Sequence, residues 1–420
     1  MPDISPEDRS LPDWLERIDQ LHPNEIEMGL ERVRRVAERL QVVRPASSSV
    51  IVAGTNGKGS TAVFTEALLI EMGYRVGTTL SPHVEHFNER VRIDGVAMDD
   101  ATLCAHFEAV EAARGDIPLT YFEFATLVAL LGFRNSEVDI AVLEVGLGGR
   151  LDAFNIVDAD VAVITGIGLD HESYLGSDME QIGREKAGVL RPDQRVVLGE
   201  RVTASVCDRA AMLECEVARA GVDFTIARNP SGWAFRSPQL GLEDLPPGAL
   251  AAENCAMAIA AAGFVAPDRE PVSREVVLAA LRRAWLPGRF ETVECDGRRY
   301  LLDVAHNVAG AGFLREQLAR RVARPVVAVF GSLQDKDSTG VLSTLEPLLE
   351  KVLCVSVEGA RGLAAEELAA RVPAGLAYET IPDLGAALAR ARSLTSPGDV
   401  ILACGSFAVV GRARSQLMGS

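Results

Sequence analysis

The sequence predicts an α/β fold in two successive domains, and three observations carry that prediction. Runs rich in β-branched residues, without the alternation of a half-exposed strand, recur at 50–53, 139–145 and 161–165, the pattern of parallel strands buried on both faces. Stretches with helical spacing lie between them, so the chain reads as β-α-β units. At 285–290 the run Trp-Leu-Pro-Gly-Arg-Phe breaks the preceding helix, and strand and helix alternation restarts beyond it. With 420 residues the chain also exceeds one typical core. We expect a P-loop-type, doubly wound nucleotide-binding domain over 1–286, followed by a smaller Rossmann-like α/β domain over 287–420.

Taken in order, residues 14–21 and 25–40 carry helical periodicity. In the second, Met28, Leu30, Val33, Ala37 and Leu40 share one face, with Glu31, Arg32, Arg34, Arg35 and Glu38 on the other. The run Val50-Ile51-Val52-Ala53 then breaks into Gly54-Thr55-Asn56-Gly57-Lys58-Gly59-Ser60-Thr61. Three glycines within six residues allow positive φ and let successive N–H groups point at one anion. Val63, Phe64, Ala67 and Leu68 open a helix whose N-terminus adds to that field. Lys58 is placed to reach phosphates, and Ser60 or Thr61 to hold Mg²⁺. The spacing is a variant of the common nucleotide motif: Val52 stands at the first glycine position, and Gly59 directly follows the lysine. Gly73 predicts the helix C-cap and residues 75–80 the return strand.

The polar stretch Ser81-Pro82-His83-Val84-Glu85-His86-Phe87-Asn88-Glu89-Arg90-Val91-Arg92 follows that strand, where doubly wound sheets bind ligands; it reads equally as a solvated loop. Helices follow at 99–114 and 120–133, the latter nearly apolar except for Glu123, a carboxylate that must be paired or bound to metal there. Glu144 lies near the end of strand 139–145, before Gly146-Leu147-Gly148-Gly149-Arg150-Leu151-Asp152. It stands where a metal ligand beside a phosphate loop belongs, and as readily where a cap or ion-pair partner does. Strand 161–165 ends in Gly166-Ile167-Gly168-Leu169-Asp170-His171, which gives His171 the same strand-end placement. Ser177-Asp178-Met179-Glu180 starts a helix that carries Arg184, Glu185 and Lys186 before Gly188; by itself Lys186 reads as a solvated helix lysine.

Residues 195–250 show one strand, one helix and turn-rich sequence around Trp233 and Pro246-Pro247, and 249–264 is an alanine-rich helix. Its Asn254 has an amide able to read a base edge, although a surface asparagine is the commoner explanation. Beyond 290, the segments 300–305, 326–330, 352–357 and 399–404 read as strands, with Asp303-Val304-Ala305-His306-Asn307 and residues 331–337 at strand ends.

Composition excludes several classes. Hydrophobic residues at 48% and charged residues at 24% rule out a disordered chain. The longest apolar runs, 124–133 and 400–410, are too short to span a bilayer. Residues 2–8 have neither the basic region nor the apolar core of a secretory signal, so a cytoplasmic protein is expected. Seven cysteines without a C-x-x-C pair predict reduced core thiols. With 59 acidic against 42 basic residues the net charge is −17, which repels nucleic acid and anionic membranes. A nucleotide site in that field must supply its own cations.

Gly54 through Ser60, Ser81-Pro82-His83, Tyr121-Phe122-Glu123, Leu143 through Asp152, Leu169-Asp170-His171, Arg184 through Gly188, Leu286 through Phe290 and Asp303 through Asn307 form an ordered set. The set resembles the folylpolyglutamate synthase family, and more narrowly its bacterial bifunctional dihydrofolate synthase/folylpolyglutamate synthase members within the Mur ligase superfamily. It runs from about residue 11 to 407, and the 144–152 run and the Lys186 segment are its most specific parts. The resemblance implies an ADP-forming amide ligase that joins L-glutamate to dihydropteroate and to tetrahydrofolate forms through an acyl phosphate. It implies ATP phosphates held by Thr55, Asn56, Gly57, Lys58, Gly59 and Ser60, adenine by Asn254, further phosphate contact by Arg289, and ribose contact by Asp303 with His306 close by.

By the same resemblance Ser60, Ser81 and Glu144 serve one Mg²⁺, and His171 and Lys186 a second, with Lys58, Glu144, His171 and Lys186 catalytic and Lys186 carbamylated. A desolvated lysine loses its proton and captures CO₂, turning a cation into a hard oxygen ligand. A monovalent cation and a monomeric state belong to the same expectation. Residues 22–33, with Gly29, Leu30 and Glu31, resemble the dihydropteroate-binding segment of the bifunctional enzymes. Thr120, Tyr121, Phe122 and Glu123, with Leu151, Asp152, Ala153 and Asn155, would complete a pterin pocket. A site shared by both domains implies closure about residues 286–290. Two departures stand out: Phe154 replaces the family's usual Thr, and Val308-Ala309 the usual Pro-His. The alternatives are a monofunctional folylpolyglutamate synthase, another Mur-type ligase, and a regulatory nucleotide-binding protein without ligase chemistry. A dinucleotide oxidoreductase fits least, since Gly146-x-Gly-Gly lacks the third glycine and the later acid.

Overall fold

The computed structural model describes residues 9–22, 27–229, 231–248, 250–266 and 272–419. The chain forms two units, Met1–His83 with Phe87–Trp285, and Val84–His86 with Leu286–Ser420. The first is built on strands β1 (Ser48–Ala53), β2 (Val76–Thr79), β3 (Val91–Ile93), β4 (Val96–Ala97), β5 (Ile140–Glu144), β6 (Val161–Ile164), β7 (Arg195–Leu198) and β8 (Glu216–Arg219). They make one sheet in the order β4-β3-β2-β5-β1-β6-β7-β8. From β2 to β8 the neighbours are parallel, while β3 and β4 add an antiparallel edge. Every residue of β2, β5 and β6 is buried, because helices cover both faces and polar alternation would leave groups unsolvated.

One face carries the helices Leu11–Gln20, Glu31–Leu40, Asp100–Arg114 and Tyr121–Asn135. Their aromatic residues stack in series, Trp14 on Phe107 at 5.8 Å and Phe107 on Phe124 at 5.5 Å; each such ring contributes about 2–3 kcal/mol by burial alone. The helices Lys58–Glu71, Ala252–Val265 and Arg274–Arg283 pack together on the other face. Helix starts follow their caps: Asp99 accepts the Thr102 N–H at 2.8 Å and Asp178 that of Gln181 at 2.8 Å.

Three readings need correction. The helix expected at 25–40 begins at Glu31; residues 27–30 are not helical, and 25–26 lie outside the described residues. The Arg32 guanidinium donates to the Glu27 carbonyl at 3.0 Å, which holds the chain entering the helix in a non-helical path. Between 195 and 250 lie β7, β8 and the helix Ala204–Met212, followed by a separate antiparallel sheet of β9 (Thr225–Asn229), β10 (Gly232–Arg236) and β11 (Gly241–Leu245). Trp233, read as part of a turn, sits in β10. The outer strands β9 and β11 are short and largely solvent-facing, and the buried run of β10 is only Trp233 to Phe235, too short to stand out among turn residues. The alanine-rich helix runs Ala252–Val265. Residue 249, and residues 2–8 on which the signal-peptide reading rests, lie outside the described residues.

The second unit has one six-stranded sheet. Its strands are β12 (Glu291–Cys295), β13 (Arg298–Asp303), β14 (Val326–Phe330), β15 (Leu349–Cys354), β16 (Tyr378–Thr380) and β17 (Val400–Cys404). They run in the order β12-β13-β17-β14-β15-β16, all parallel except β12. Val84–His86 belongs with it: Arg414 pairs with Glu85 and, at 2.9 Å, with Glu291. All seven cysteines are free thiols. Cys255, Cys354 and Cys404 are buried, which pushes their thiols up, Cys354 to about 11, while the other four are half-buried. Among the described residues no helix is long and apolar enough to cross a membrane.

Candidate active site

Four neighbouring parallel strands, β2, β5, β1 and β6, end at one edge of the first sheet. From β1 the chain turns through Gly54 at φ +141° and Gly57 at φ +89° into the helix Lys58–Glu71. Both glycines are required twice over, by φ and by space. A Cβ on Gly54 would lie 1.9 Å from Thr165 Oγ1, and one on Gly57 2.5 Å from Asn254 Oδ1. Neighbouring segments hold the loop open: Thr165 Oγ1 donates to the Asn56 carbonyl at 2.7 Å, Thr55 Oγ1 to that of Gly168 at 3.1 Å, and the Thr55 N–H to that of Gly166 at 2.9 Å. The helix starts without a side-chain cap, the arrangement found where a helix N-terminus receives an anion.

Glu144 closes β5 and is 4% exposed. Its Oε2 accepts the Ser81 N–H at 2.9 Å, and its carboxylate lies over Gly59, whose Cβ would sit 3.3 Å from Oε2. Ser81 Oγ is buried there with no hydrogen-bond partner among the described residues. An orphaned hydroxyl costs about 1–3 kcal/mol unless a ligand takes it. Carboxylate and hydroxyl are hard oxygen donors, so the pair fits a divalent cation such as Mg²⁺. Among the described residues no three or more His, Cys, Asp or Glu side chains converge, so such an ion would complete its shell with phosphate oxygens and water.

Lys186 ends the helix Met179–Lys186 and is 5% exposed, not the solvated lysine its neighbours in sequence suggest. Its Nζ donates to the Gly54 carbonyl at 3.0 Å. Burial, reinforced by the Lys58 charge, pushes it down to about 7 against the opposing pull of Asp170 and Asp152. Asp152, equally buried, accepts the N–H groups of Gly146, Leu147 and Phe154 at 2.9, 3.0 and 3.0 Å. Burial pushes its carboxyl up to about 6 in spite of those bonds and Lys58. His171 takes the left-handed conformation at φ 52°, with its N–H on Asp170 Oδ1 at 2.9 Å and its ring partly exposed. Lys58, Asp152, Asp170 and Lys186 thus share one electrostatic neighbourhood, and His171 adjoins it through Asp170.

Most of the expected pterin residues hold structure. Glu123 completes a capping box with Thr120, accepting its N–H at 2.8 Å, and pairs with Arg32 at 3.2 Å; this resolves the puzzle of a carboxylate in an apolar helix. Tyr121 lies under Arg90, 5.7 Å from its ring centre, and Arg90 Nε donates to His83 Nδ1 at 2.7 Å. The Phe122 ring meets Phe154 edge to face at 5.8 Å and covers Gly146. Asn155 ties the carbonyls of Arg150 and Gly188 together at 2.9 and 3.1 Å. Leu151 is half-buried and Ala153 buried in the adjoining turn. Gly29 and Leu30 are half-buried and Glu31 is exposed; of the segment 22–33, residues 23–26 lie outside the described residues. Arg90 and Thr165 were missed as individual residues in the sequence. The polar density of 81–92 was the signal for the first, while a threonine ending a buried strand gives none.

In the second unit Asp303 is buried at the end of β13, and its two oxygens accept the N–H groups of Phe290 and Ala305, each at 2.9 Å. Burial raises its carboxyl, offset in part by Arg289 and His306. Arg289 lies over the Phe407 ring at 5.5 Å, and His306 Nδ1 bonds the Val304 carbonyl at 2.8 Å beside the same ring.

Residues 52–198 match the Mur ligase middle domain, and 288–407 the Mur ligase glutamate ligase domain. The dihydrofolate synthase/folylpolyglutamate synthase of Escherichia coli is 41% identical over 406 residues, 95% of this chain and 94% of that protein. The Mycobacterium tuberculosis protein of the same name is 33% identical, over 84% of this chain and 79% of its own. Among solved structures, Escherichia coli FolC in complex with DHPP and ADP superposes with a TM-score of 0.93 at 38% identity, covering 99% of both chains. A bifunctional folylpolyglutamate synthase/dihydrofolate synthase with Mn, AMPPNP and L-glutamate bound gives 0.91 at 41% identity, over 98% of this chain and 99% of that one. The chain belongs to the dihydrofolate synthase/folylpolyglutamate synthase family of Mur ligases.

Proposed function

We propose that this chain catalyses the ADP-forming addition of L-glutamate to dihydropteroate and to tetrahydrofolate forms. Four adjacent strand ends carry the proposal, since together they present the uncapped loop, Ser81, Glu144 and the Asp170–His171 turn at one edge. A carboxylate is a poor electrophile. Transfer of the ATP γ-phosphoryl group converts it to an acyl phosphate, and the glutamate amine then forms the amide bond as phosphate leaves. Such chemistry is mostly positioning and charge neutralisation, and fixing the attack geometry can supply roughly 7–11 kcal/mol.

The loop N–H groups and Lys58 bind and orient the phosphates, and Thr55 and Thr165 keep that loop in shape. Ser60, Ser81 and Glu144 would hold one Mg²⁺, and His171 with a Lys186 carbamate a second. When bound, these ions neutralise the phosphate charge that develops during transfer. An amine lowered to about 7 is substantially neutral at physiological pH, so Lys186 Nζ can bond the carbon of CO₂ and release a proton, leaving a carbamate. A monovalent cation would add to that charge balance. Asn254 is assigned to adenine; Arg289, Asp303 and His306 to the nucleotide; and residues 29–31, 120–123, 151–153 and 155 to the pterin.

ADP release tests the proposal, measured with ATP, Mg²⁺ and L-glutamate against dihydropteroate or tetrahydrofolate as acceptor. Turnover with both is expected. Turnover with tetrahydrofolate alone reduces the enzyme to a folylpolyglutamate synthase, and none with either returns it to a Mur-type ligase of other specificity.

A further inference from the structure

Between Gly59 and Leu69 every residue of the helix Lys58–Glu71 is buried, and Glu66 alone carries a charge there. We infer that Glu66 and Arg92 form a positioning pair, which holds the phosphate-loop helix in register with β3 and, through the ladder of β3 on β2, with the strand that leads to Ser81. The inference rests on the reading of Ser81 and Glu144 as metal holders.

Glu66 is 1% exposed, and its Oε2 lies 2.9 Å from Arg92 Nη2. Arg92 belongs to β3 and also donates to the Gly95 carbonyl at 3.0 Å. Across the ladder it faces Thr78 of β2, so both side chains rise from the sheet toward the same helix. The pair is only partly satisfied: the Thr78 hydroxyl and the Gly95 backbone lie close enough to favour the Glu66 carboxylate, yet Arg92 Nε is buried without a hydrogen-bond partner among the described residues. Burial accordingly raises the Glu66 carboxyl, with Arg92 only partly offsetting it. Well-packed apolar side chains would hold such a site as firmly as this ion pair does. What they would lack is direction, because sliding or rotating the helix over β2 and β3 strands a charge in the core.

That direction bears on the site from two sides. Lys58 lies eight residues before Glu66 on one rigid helix, about 12 Å along its axis. Ser81 lies three residues beyond Thr78, about 10 Å along the strand direction. Glu144 spans the two, with Ser81 N–H on its Oε2 and Gly59 under its carboxylate. A shift at Glu66 therefore changes the separation of phosphate loop, carboxylate and Ser81 hydroxyl without touching any of them.

The test replaces both charges with apolar groups, in E66L/R92M, and titrates Mn²⁺ by electron paramagnetic resonance in the presence of ADP. We expect melting close to wild type, together with a loss of Mn²⁺ affinity of about tenfold, since misplacement on the order of 1 Å is enough for such losses. Wild-type Mn²⁺ affinity in the folded double variant overturns the pair's positioning role. Wild-type protein that binds no Mn²⁺ with ADP overturns the metal reading and, with it, this inference. If the double variant does not fold, Glu66→Asp decides: it keeps the charge but shortens its reach, so a severalfold loss supports the role and an unchanged affinity overturns it.

Discussion

Replacing Lys186 by methionine should stabilise the protein while abolishing its chemistry. The unfolded chain keeps this lysine protonated to about 10.5, whereas the folded chain releases the proton at about 7. Between those values the unfolded state binds more protons, so stability rises with pH across that window. Below it the buried cation costs its full amount, on the order of 4–5 kcal/mol for a shift of this size. Methionine keeps a linear stem of similar bulk and drops the charge. It also forfeits the bond to the Gly54 carbonyl, worth about 1 kcal/mol, so the net gain near pH 6 is roughly 3 kcal/mol. Thermal melts in CO₂-free buffer are the assay, because a carbamate would replace the cation being measured. Lys186→Met should melt several degrees above wild type near pH 6, and the advantage should vanish by about pH 10. A gap that does not change with pH, or a variant that melts lower at both ends, refutes the assignment of a buried, depressed lysine. The same variant should lose turnover while keeping ADP affinity within severalfold, as measured by calorimetry.

Ser81→Ala removes a hydroxyl with no partner among the described residues. Urea unfolding without metal should show stability kept or raised by about 1–3 kcal/mol, while Mn²⁺ affinity with ADP falls about tenfold. Gly57→Ala forces a side chain to φ +89° and against Asn254, so ADP binding should be lost and stability should fall by about 1–2 kcal/mol or more. Adding Asn254→Ala should relieve the clash but not the backbone strain, so melting recovers only in part. Glu123→Ala removes a capping box and leaves the Thr120 N–H unpartnered beside Arg32. Urea unfolding should show a loss of about 2–4 kcal/mol, with ADP affinity retained.

The buried parallel strands and the loop after β1 were legible because two-sided burial leaves an uninterrupted apolar run and a glycine-rich turn has few other uses. The sheet β9–β11 was not legible. Its outer strands expose residues such as Arg228, Glu243 and Asp244, and its buried residues, Trp233, Phe235, Leu242 and Leu245, are split between two short strands, so no single run in the sequence shows the buried face. The start of the helix at Glu31 was hidden for another reason. Met28 and Leu30 continue the helical spacing, but the bond from Arg32 to the Glu27 carbonyl is a tertiary choice that periodicity does not record.

Within the site the motif residues divide by what their polar atoms do, and sequence is blind to that division. Asp152 and Asn155 spend side-chain oxygens or amides on backbone groups, and Glu123 divides its carboxylate between the Thr120 N–H and Arg32, so these residues fix loop shape in the first unit, as Asp303 does in the second. Ser81 keeps a buried hydroxyl without a partner among the described residues, and Lys186 a buried amine lowered to about 7. A buried group left short of partners is unfavourable for folding unless a ligand completes it. Residues of the first kind should therefore lose stability when mutated, and those of the second should keep or gain it while metal affinity and turnover fall. In the spaced motifs both kinds look alike, because ligand binding and loop shape require the same short polar side chains at strand ends.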